Sequence, residues 1–393
     1  MSKMGRALVA MSGGVDSSVA AVMLHEEGYE VVGITMKTWS HDGPAAGPSV
    51  APSGKAIGCC TLDAMNDARA VALRYGFAHF IVDIREEFGA AVVEPFARGY
   101  LAGETPNPCI LCNTHIKWAA LLRRADALGC EVIATGHYAR EGTRVAEDGT
   151  VRHTIRRGLD AAKDQSYVLW GLPQAHLARS RFPIGSHAKP EIRRMAAEWG
   201  LDAVASKPDS YEICFVPEGD YRDFLRRRDP GLDARVGGGP LVLTDGTVVG
   251  RHRGHPFYTV GQRRGLEIAL GYPAYVTAID ASTNTVTVGP REALMRHALG
   301  ARGVNWVGAS GPLAETPVTA QLRAHDTGTA ALAWSDGDDA LTVAFAAPRA
   351  MVTPGQAVVL YASDTVLAGA WIATVDGHAA DVRDVQADIP ILG

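Results

Sequence analysis

Residues 12–17 read Ser-Gly-Gly-Val-Asp-Ser, between the apolar run Ala7–Met11 and an amphipathic stretch. Glycines at a strand-to-helix junction let the backbone approach an anion, and the free amides of the first helical turn favour phosphate there. Ser12, Ser17 and Ser18 add hydroxyl donors. The loop has no lysine, although the GxxxxGK[ST] nucleotide loop relies on one for the β- and γ-phosphates. A cradle without it suits a site that holds pyrophosphate as a leaving group. Asp16 makes sense if Mg²⁺ lies between its carboxylate and the phosphates, which otherwise repel. The chemistry is attack on the α-phosphorus of ATP, giving an adenylated substrate and pyrophosphate. A merely tight strand–helix turn is the plain alternative.

Six cysteines are the second set of reactive groups: Cys59, Cys60, Cys109, Cys112, Cys130 and Cys214. In a long chain without an export signal they read as thiols, metal ligands or catalytic groups rather than staples. Cys109 and Cys112 form a C-x-x-C in "ETPNPCILCNTHIKW", just before a helix. The positive end of a helix dipole stabilises thiolate, which matters because an ordinary thiol is only about 3% ionised at pH 7. The pair is equally half of a zinc site. Its other half would have to be the adjacent Cys59 and Cys60, which suit one tetrahedral ion poorly and read instead as a helix lead-in or packing thiols. Cys130 opens an apolar strand and reads as a buried small hydrophobe. Cys214 lies in "SKPDSYEICFVPEGDYRDFL" beside Ile213, Phe215 and Val216, and that stretch alone fits a reactive or a packed thiol.

Alternating elements must position these groups. Apolar strand-like runs at Ala7–Met11, Glu30–Met36, Phe77–Ile84 and Glu131–Thr135 alternate with helix-period segments at Ser17–Glu27, Leu62–Tyr75, Glu86–Tyr100 and Thr114–Leu128. That alternation predicts an α/β fold with a doubly wound parallel sheet over the first half. Residues 39–58 are rich in Gly, Pro, Ala and Ser and read as a loop able to bury little. After residue 205, alternating segments around "TDGT" and "STNT", and short strands from Leu322 to Ile372, predict a small mixed domain and then a β-barrel. The expected domains are 1–205, 206–272 and 273–393, as a chain of 393 residues suggests two or three. The apolar fraction of 47% and charged fraction of 21% are those of a globular protein. No run approaches the roughly 18 apolar residues of a membrane span, so a cytoplasmic protein without membrane association is expected. The net charge of −5 argues against indiscriminate nucleic-acid binding and permits a local basic surface.

SGGVDSS resembles the pyrophosphatase loop (PP-loop) of N-type ATP-dependent amidating and thiolating enzymes. That resemblance implies a HUP-like nucleotide site at the C-terminal edge of the sheet. Ala10, Met11, Ser12, Gly13, Gly14, Val15, Asp16 and Ser17 would hold ATP, with Met36 and Gly136 closing over adenine. Further blocks follow in order: PNPCxxCN, "KDQSYVLWGL" at 163–172, "EICFVPEGDYRDFL" at 212–225, "YTVGQRRGL" at 258–266 and "TPGQAVVLY" at 353–361. Together they resemble, over essentially the whole chain, the tRNA-specific 2-thiouridylases of bacteria and organelles.

The resemblance implies that ATP adenylates the C2 oxygen of the wobble uridine and that a persulfide sulfur replaces it, giving 2-thiouridine, AMP and pyrophosphate. Cys214 would carry the persulfide, and Cys112 would be the nucleophile that frees sulfide or closes a transient Cys112–Cys214 disulfide. An outside persulfide donor or relay protein and a reductant are implied as partners, beside tRNA. The target base falls on Asn107, Pro108 and Cys109, and tRNA contacts fall on His137, Lys163, Asp164, Gln165, Arg323, Ala324 and Gln356.

Two positions depart from the family. Many relatives carry Asp, proposed as general base, where this chain has Cys109; a thiol there does acid–base work only if its pKa is tuned. Ala324 stands where an aromatic is usual. Cys109, Cys112 and Cys214 also fit a rival cofactor, a [4Fe–4S] cluster with one open iron. Lys163-Asp164-Gln165 is otherwise an ordinary helix cap. "FLRRRDPGLDAR" and "GRHRGHPFYTVGQRRG" fit an RNA footprint, with Phe257 and Tyr258 placed for stacking. Two other classes compete: an enzyme amidating a small carboxylate on the same loop, and a metal-stabilised RNA binder without catalysis.

Overall fold

The computed structural model describes residues 4–39, 61–146, 149–208, 213–216 and 220–375. Cys59, Cys60 and nearly all of the 39–58 segment lie outside the described residues. The chain divides into two compact units. One comprises Met1–Val93, Cys109–Asp220 and Asp364–Val366, the other Glu94–Pro108, Tyr221–Ser363 and Leu367–Gly393.

The first unit is built on a parallel sheet of β1 (Arg6–Ala10), β2 (Glu30–Lys37), β3 (Ala78–Asp83), β4 (Val132–Thr135) and β7 (Ser180–Arg181), in the order β3-β2-β1-β4-β7. Ala7, Leu8 and Val9 of β1 are wholly buried because this strand lies at the centre, covered on both faces. The strand order reverses between β1 and β4, so their C-terminal ends open the crevice where such sheets bind ligands. Helix α1 (Val15–Glu26) leaves the first of these ends and packs Val19, Ala20 and Val22 into the core. Helix α2 (Leu62–Tyr75) is capped by Thr61, whose hydroxyl accepts from the Ala64 amide, and ends at Gly76 with φ +73°. Helices α3 (Trp118–Ala127) and α4 (Lys189–Glu198) complete the layers used below.

Two features differ from expectation. The helix expected over 86–100 is broken into Arg85–Phe88, a wide π-type turn at Gly89–Val93, and Glu94–Leu101. Pro95 has no amide to continue an α-helical ladder, and the chain passes between units at this point. The strands β5 (Ala139–Val145) and β6 (Val151–Arg157) form an antiparallel hairpin inside the α/β region. Their charged alternation carries no apolar run, which hid them from the sequence reading.

In the second unit, β8 (Pro240–Val242), β9 (Val248–Arg251), β10 (Tyr275–Asp280) and β11 (Thr285–Gly289) form a mixed sheet ordered β10-β11-β8-β9. Both expected hairpin turns are present: Asp245 accepts from the Thr247 amide, and Asp280 accepts from the Ser282 amide. The small mixed sheet therefore extends to Gly289, and the barrel begins at Arg296 rather than at 273. Strands β12 (Arg296–Trp306), β13 (Thr316–Gln321), β14 (Thr329–Ser335), β15 (Ala340–Arg349), β16 (Ala357–Ala362) and β17 (Thr365–Val375) run antiparallel around it. Pairing of β12 with β17 closes the ring, which removes exposed strand edges. Leu299, Val318, Val343, Phe345 and Leu360 fill it.

Candidate functional site

The cradle after β1 has the geometry its sequence requires. Gly13 has φ +71°, and a Cβ there would lie 2.0 Å from the Ala64 carbonyl oxygen, so no other residue fits. Gly14 caps α1 with no side-chain hydrogen bond, which leaves the first-turn amides for an anion. Ser17 Oγ accepts from the Ser12 amide at 3.0 Å, and Ser18 Oγ donates to the Gly14 carbonyl at 2.9 Å. Met11 and Val15 are core residues, so they can serve a nucleotide only through their backbone. Gly136, after β4, approaches the same turn: a Cβ on it would lie 2.6 Å from the Ser17 nitrogen. We expect Gly13→Ala to cost about 1–3 kcal/mol. Its melting temperature should fall by several degrees, and the upward shift expected when the parent protein is given ATP should be absent.

A lysine from elsewhere in the chain lies beside the loop. Lys189, in the first turn of α4, donates from Nζ to Asp16 Oδ1 at 2.7 Å and Oδ2 at 2.8 Å. Tyr138 Oη donates to the same Oδ1 at 2.7 Å. The Lys189 side chain is 9% exposed and that of Asp16 31%, so the pair is only partly screened by water. Asp160 fixes the start of α4 by accepting from the Lys189 amide at 2.9 Å. A second ammonium, Lys207 Nζ, donates to the Gly13 carbonyl at 3.1 Å and also to Asp67 on α2. Lysine in the first turn of a helix opposes the macrodipole, which is the sequence signal that could have singled out Lys189. One carboxylate beside an anion cradle is the donor Mg²⁺ takes together with nucleotide phosphates, so Asp16 fits that ion provided Lys189 turns to the phosphates.

Cys112 opens a π-type turn, Cys112–Lys117, that leads into α3; such turns favour functional sites. Its thiol is buried, Cys214 is half-buried and Cys109 is exposed. Although it opens to solvent, Cys109 is ringed by enough protein that desolvation pushes its thiol pKa up, with the Lys117 charge pulling the other way. The lowered pKa expected at this C-x-x-C is therefore not found at Cys109. Among the described residues no three His, Cys, Asp or Glu side chains converge as a metal-ligand set. Cys109, Cys112 and Cys214 thus do not stand as the ligand triangle of a [4Fe–4S] cluster in this structure, and Cys59 and Cys60, the other half weighed for a zinc site, lie outside the described residues.

Three family models match in chain order: the tRNA methyl transferase HUP domain over residues 5–218, its PRC-barrel domain over 232–290 and the aminomethyltransferase beta-barrel domain over 296–372. The chain is 57% identical to a tRNA-specific 2-thiouridylase of Salinibacter ruber, covering 99% of this chain and 100% of that one. It is 51% identical to one of Cytophaga hutchinsonii, covering 95% and 98% respectively. The chain belongs to the tRNA-specific 2-thiouridylase family. A solved 4-thiouridine synthetase–RNA complex with bound ATP aligns at 18% identity and a TM-score of 0.36, covering 58% of this chain and 51% of that chain.

The positions that a 2-thiouridylase would use on tRNA are unevenly available. Lys163 is half-exposed and Gln165 exposed, but the carboxylate of Asp164 is consumed internally. It accepts from Arg157, the Gly158 amide, and both the amide and hydroxyl of Ser166. Asp164 thus holds the Lys163–Gln165 turn in place through these bonds, although the short helix that follows has Gln165 as its N-cap with no side-chain cap. His137 is buried against Trp118, with Nδ1 2.7 Å from the Thr135 hydroxyl. Burial, then the Lys117 charge, holds its pKa well below the usual value, so it is neutral and cannot pair a phosphate as a cation. Gln356 donates to the Thr105 carbonyl at 2.7 Å, bracing the segment that precedes Asn107 and Pro108. Arg323 is exposed and Ala324 half-exposed.

The basic stretches need correction. Phe257, Tyr258, His252 and His255 are buried, so neither aromatic is open to stack on a base. Arg226 is paired with Asp223 and Asp233, and Arg228 with Glu94. Among the described residues no helix is long and apolar enough to cross a membrane.

Proposed function

We propose that this chain is an ATP-dependent tRNA 2-thiouridylase working through a cysteine persulfide. The observation that carries the reading is the Asp16–Lys189 pair in a glycine cradle, within the unit that also contains Cys112 and Cys214. ATP seats its phosphates on the Gly14–Ser17 amides, and Lys189 moves from Asp16 to the phosphates. Mg²⁺, when bound at Asp16, offsets the remaining phosphate charge. The C2 oxygen of the wobble uridine attacks the α-phosphorus, and pyrophosphate leaves against Lys189. The base reaches the site flipped from its stack.

The terminal sulfur of a Cys214 persulfide then attacks C2, and AMP departs with the electron pair of the C2–O bond. Cys112 thiolate attacks Cys214 Sγ, breaking the S–S bond, so that the new sulfur stays on the base and a Cys112–Cys214 disulfide forms. An external dithiol returns two electrons, and an external persulfide donor reloads Cys214. Cys109 keeps its proton at neutral pH, because the protein crowded around its sulfur desolvates the thiolate and raises its pKa even though the residue opens to solvent. It therefore serves the base as a hydrogen-bond donor and not as a general base. The transfer of a methyl group, which two of the matched models' descriptions mention, needs neither adenylation nor paired thiols.

The test is incubation with bulk tRNA, labelled ATP and a persulfide source, followed by mass analysis of the tRNA nucleosides. AMP release that requires tRNA, with 2-thiouridine as product, is expected. AMP release that requires an amino acid instead would assign the chain to amidation.

A further inference from the structure

We infer that Thr35, backed by His79, is a positioning residue for ATP, holding the peptide from which the phosphate cradle hangs. This inference rests on the ATP reading above and names residues outside the cradle that set its affinity. Thr35 lies near the end of β2 and is buried. Its hydroxyl donates to the Met11 carbonyl at 2.7 Å, and the Met11 amide donates to the Ile34 carbonyl at 2.8 Å. Met11 is thereby tied to β2 through both of its backbone polar groups, although β1 itself ends at Ala10.

The other side of the same peptide is held from within the cradle. The Ser12 amide donates to Ser17 Oγ at 3.0 Å, and Ser17 Oγ donates to the Gly14 carbonyl at 3.2 Å. A peptide group is planar, so the Met11 carbonyl and the Ser12 amide turn together. A buried carbonyl that loses its donor pays for its desolvation, so it turns toward any other donor within reach. That turn would swing the Ser12 amide away from Ser17 and loosen the loop whose amides face the phosphates. Thr35 therefore fixes, from the neighbouring strand, the plane in which the cradle starts. It also directly precedes Met36, the position expected at adenine, so one side chain ties the two ends of the nucleotide site.

His79, on β3, completes the arrangement. Thr35 has one hydroxyl proton, spent on Met11, so its oxygen accepts from His79 Nε2 at 2.9 Å. His79 pairs in register with Gly33, which shares a face of the sheet with Thr35. A Cβ on Gly33 would lie 2.8 Å from Met11 Sδ and 3.0 Å from His79 Cδ2, so the bare glycine is what lets the ring reach Thr35. Burial, then the Arg69 charge, holds the His79 pKa below its usual value, and the ring is a neutral donor at neutral pH.

The experiment follows tRNA-dependent release of AMP from labelled ATP by the full chain, with ATP and bulk tRNA varied separately. Thr35→Val keeps the shape and removes the donor. Its KM for ATP should rise about tenfold, with kcat and the KM for tRNA within about twofold of the parent. Thr35→Ser returns the hydroxyl and should restore the KM for ATP. His79→Phe should raise that KM about threefold, and His79→Gln, whose amide nitrogen can replace Nε2, should restore it. Thr277→Val removes a like bond, from its hydroxyl to the Thr287 carbonyl at 3.3 Å in the second unit, and should change none of these values. A parent KM for ATP in Thr35→Val, even with a lowered melting temperature, overturns the inference while the ATP reading stands. An equal loss in Thr277→Val, or a loss confined to kcat, does the same. Should Thr35→Val fail to fold, the His79 variants decide, and a parent KM in His79→Phe overturns the inference. Absence of tRNA-dependent AMP release from the parent overturns both.

Discussion

Lys189→Met is expected to lower tRNA-dependent AMP release by on the order of 10²–10³-fold, the usual effect of removing one preorganised cation or donor from developing phosphate charge. Lys189 spans both Asp16 oxygens at 2.7 and 2.8 Å, so the variant also leaves that carboxylate with Tyr138 alone. A partly buried, half-satisfied carboxylate costs on the order of 1–3 kcal/mol, and the melting temperature should fall. Asp16→Asn/Lys189→Met separates the two effects. Neutralising the orphaned carboxylate should recover much of the stability but none of the AMP release. Lys189→Met that keeps AMP release within a few-fold of the parent would remove the lysine from the phosphate site and leave it as a structural partner of Asp16.

Why Lys189 escaped a sequence reading is a matter of range. The cradle was legible because everything that shapes it, from the apolar strand to Asp16, falls within about ten residues of sequence. Its counter-charge lies 173 residues downstream of Asp16 and Tyr138 lies 122 downstream, distances that no local pattern spans. The sheet and barrel were legible for the same local reason, since apolar runs and turn residues announce themselves. The β5–β6 hairpin, whose apolar residues are scattered among arginines, did not.

The arginine-rich stretches misled in the opposite direction. "RRR" at 226–228 looks like a solvated RNA footprint, but Asp233 and Glu94 absorb two of its charges, and Glu94 comes from a helix over 130 residues away. Likewise Phe257 is covered by the Arg226 guanidinium at 4.3 Å from the ring centre, so an apparent stacking platform is core. Charge counts in sequence overstate a basic surface until the carboxylates are located in space.

Sulfur transfer gives the sharpest separation of partial reactions. Cys214→Ser should leave tRNA-dependent AMP and pyrophosphate formation near the parent level while 2-thiouridine falls below detection, because Asp16 and Lys189, the groups proposed for adenylation, do not involve this thiol. Equal loss of both reactions would make Cys214 structural. Cys112→Ser distinguishes the two sulfur routes. If the persulfide itself attacks C2, the variant halts with tRNA joined to Cys214 through an S–S bond, since nothing remains to attack Sγ. A covalent protein–tRNA species should then accumulate in one turnover and be cleaved by dithiothreitol, releasing thiolated tRNA. If Cys112 instead liberates sulfide first, no adduct forms and dithiothreitol restores thiolation from the start. Cys112 is 8% exposed where Cys214 is half-open, so the thiol that must attack second is the one kept covered. That order of exposure favours the adduct, and denaturing electrophoresis of the Cys112→Ser reaction is where it should be seen.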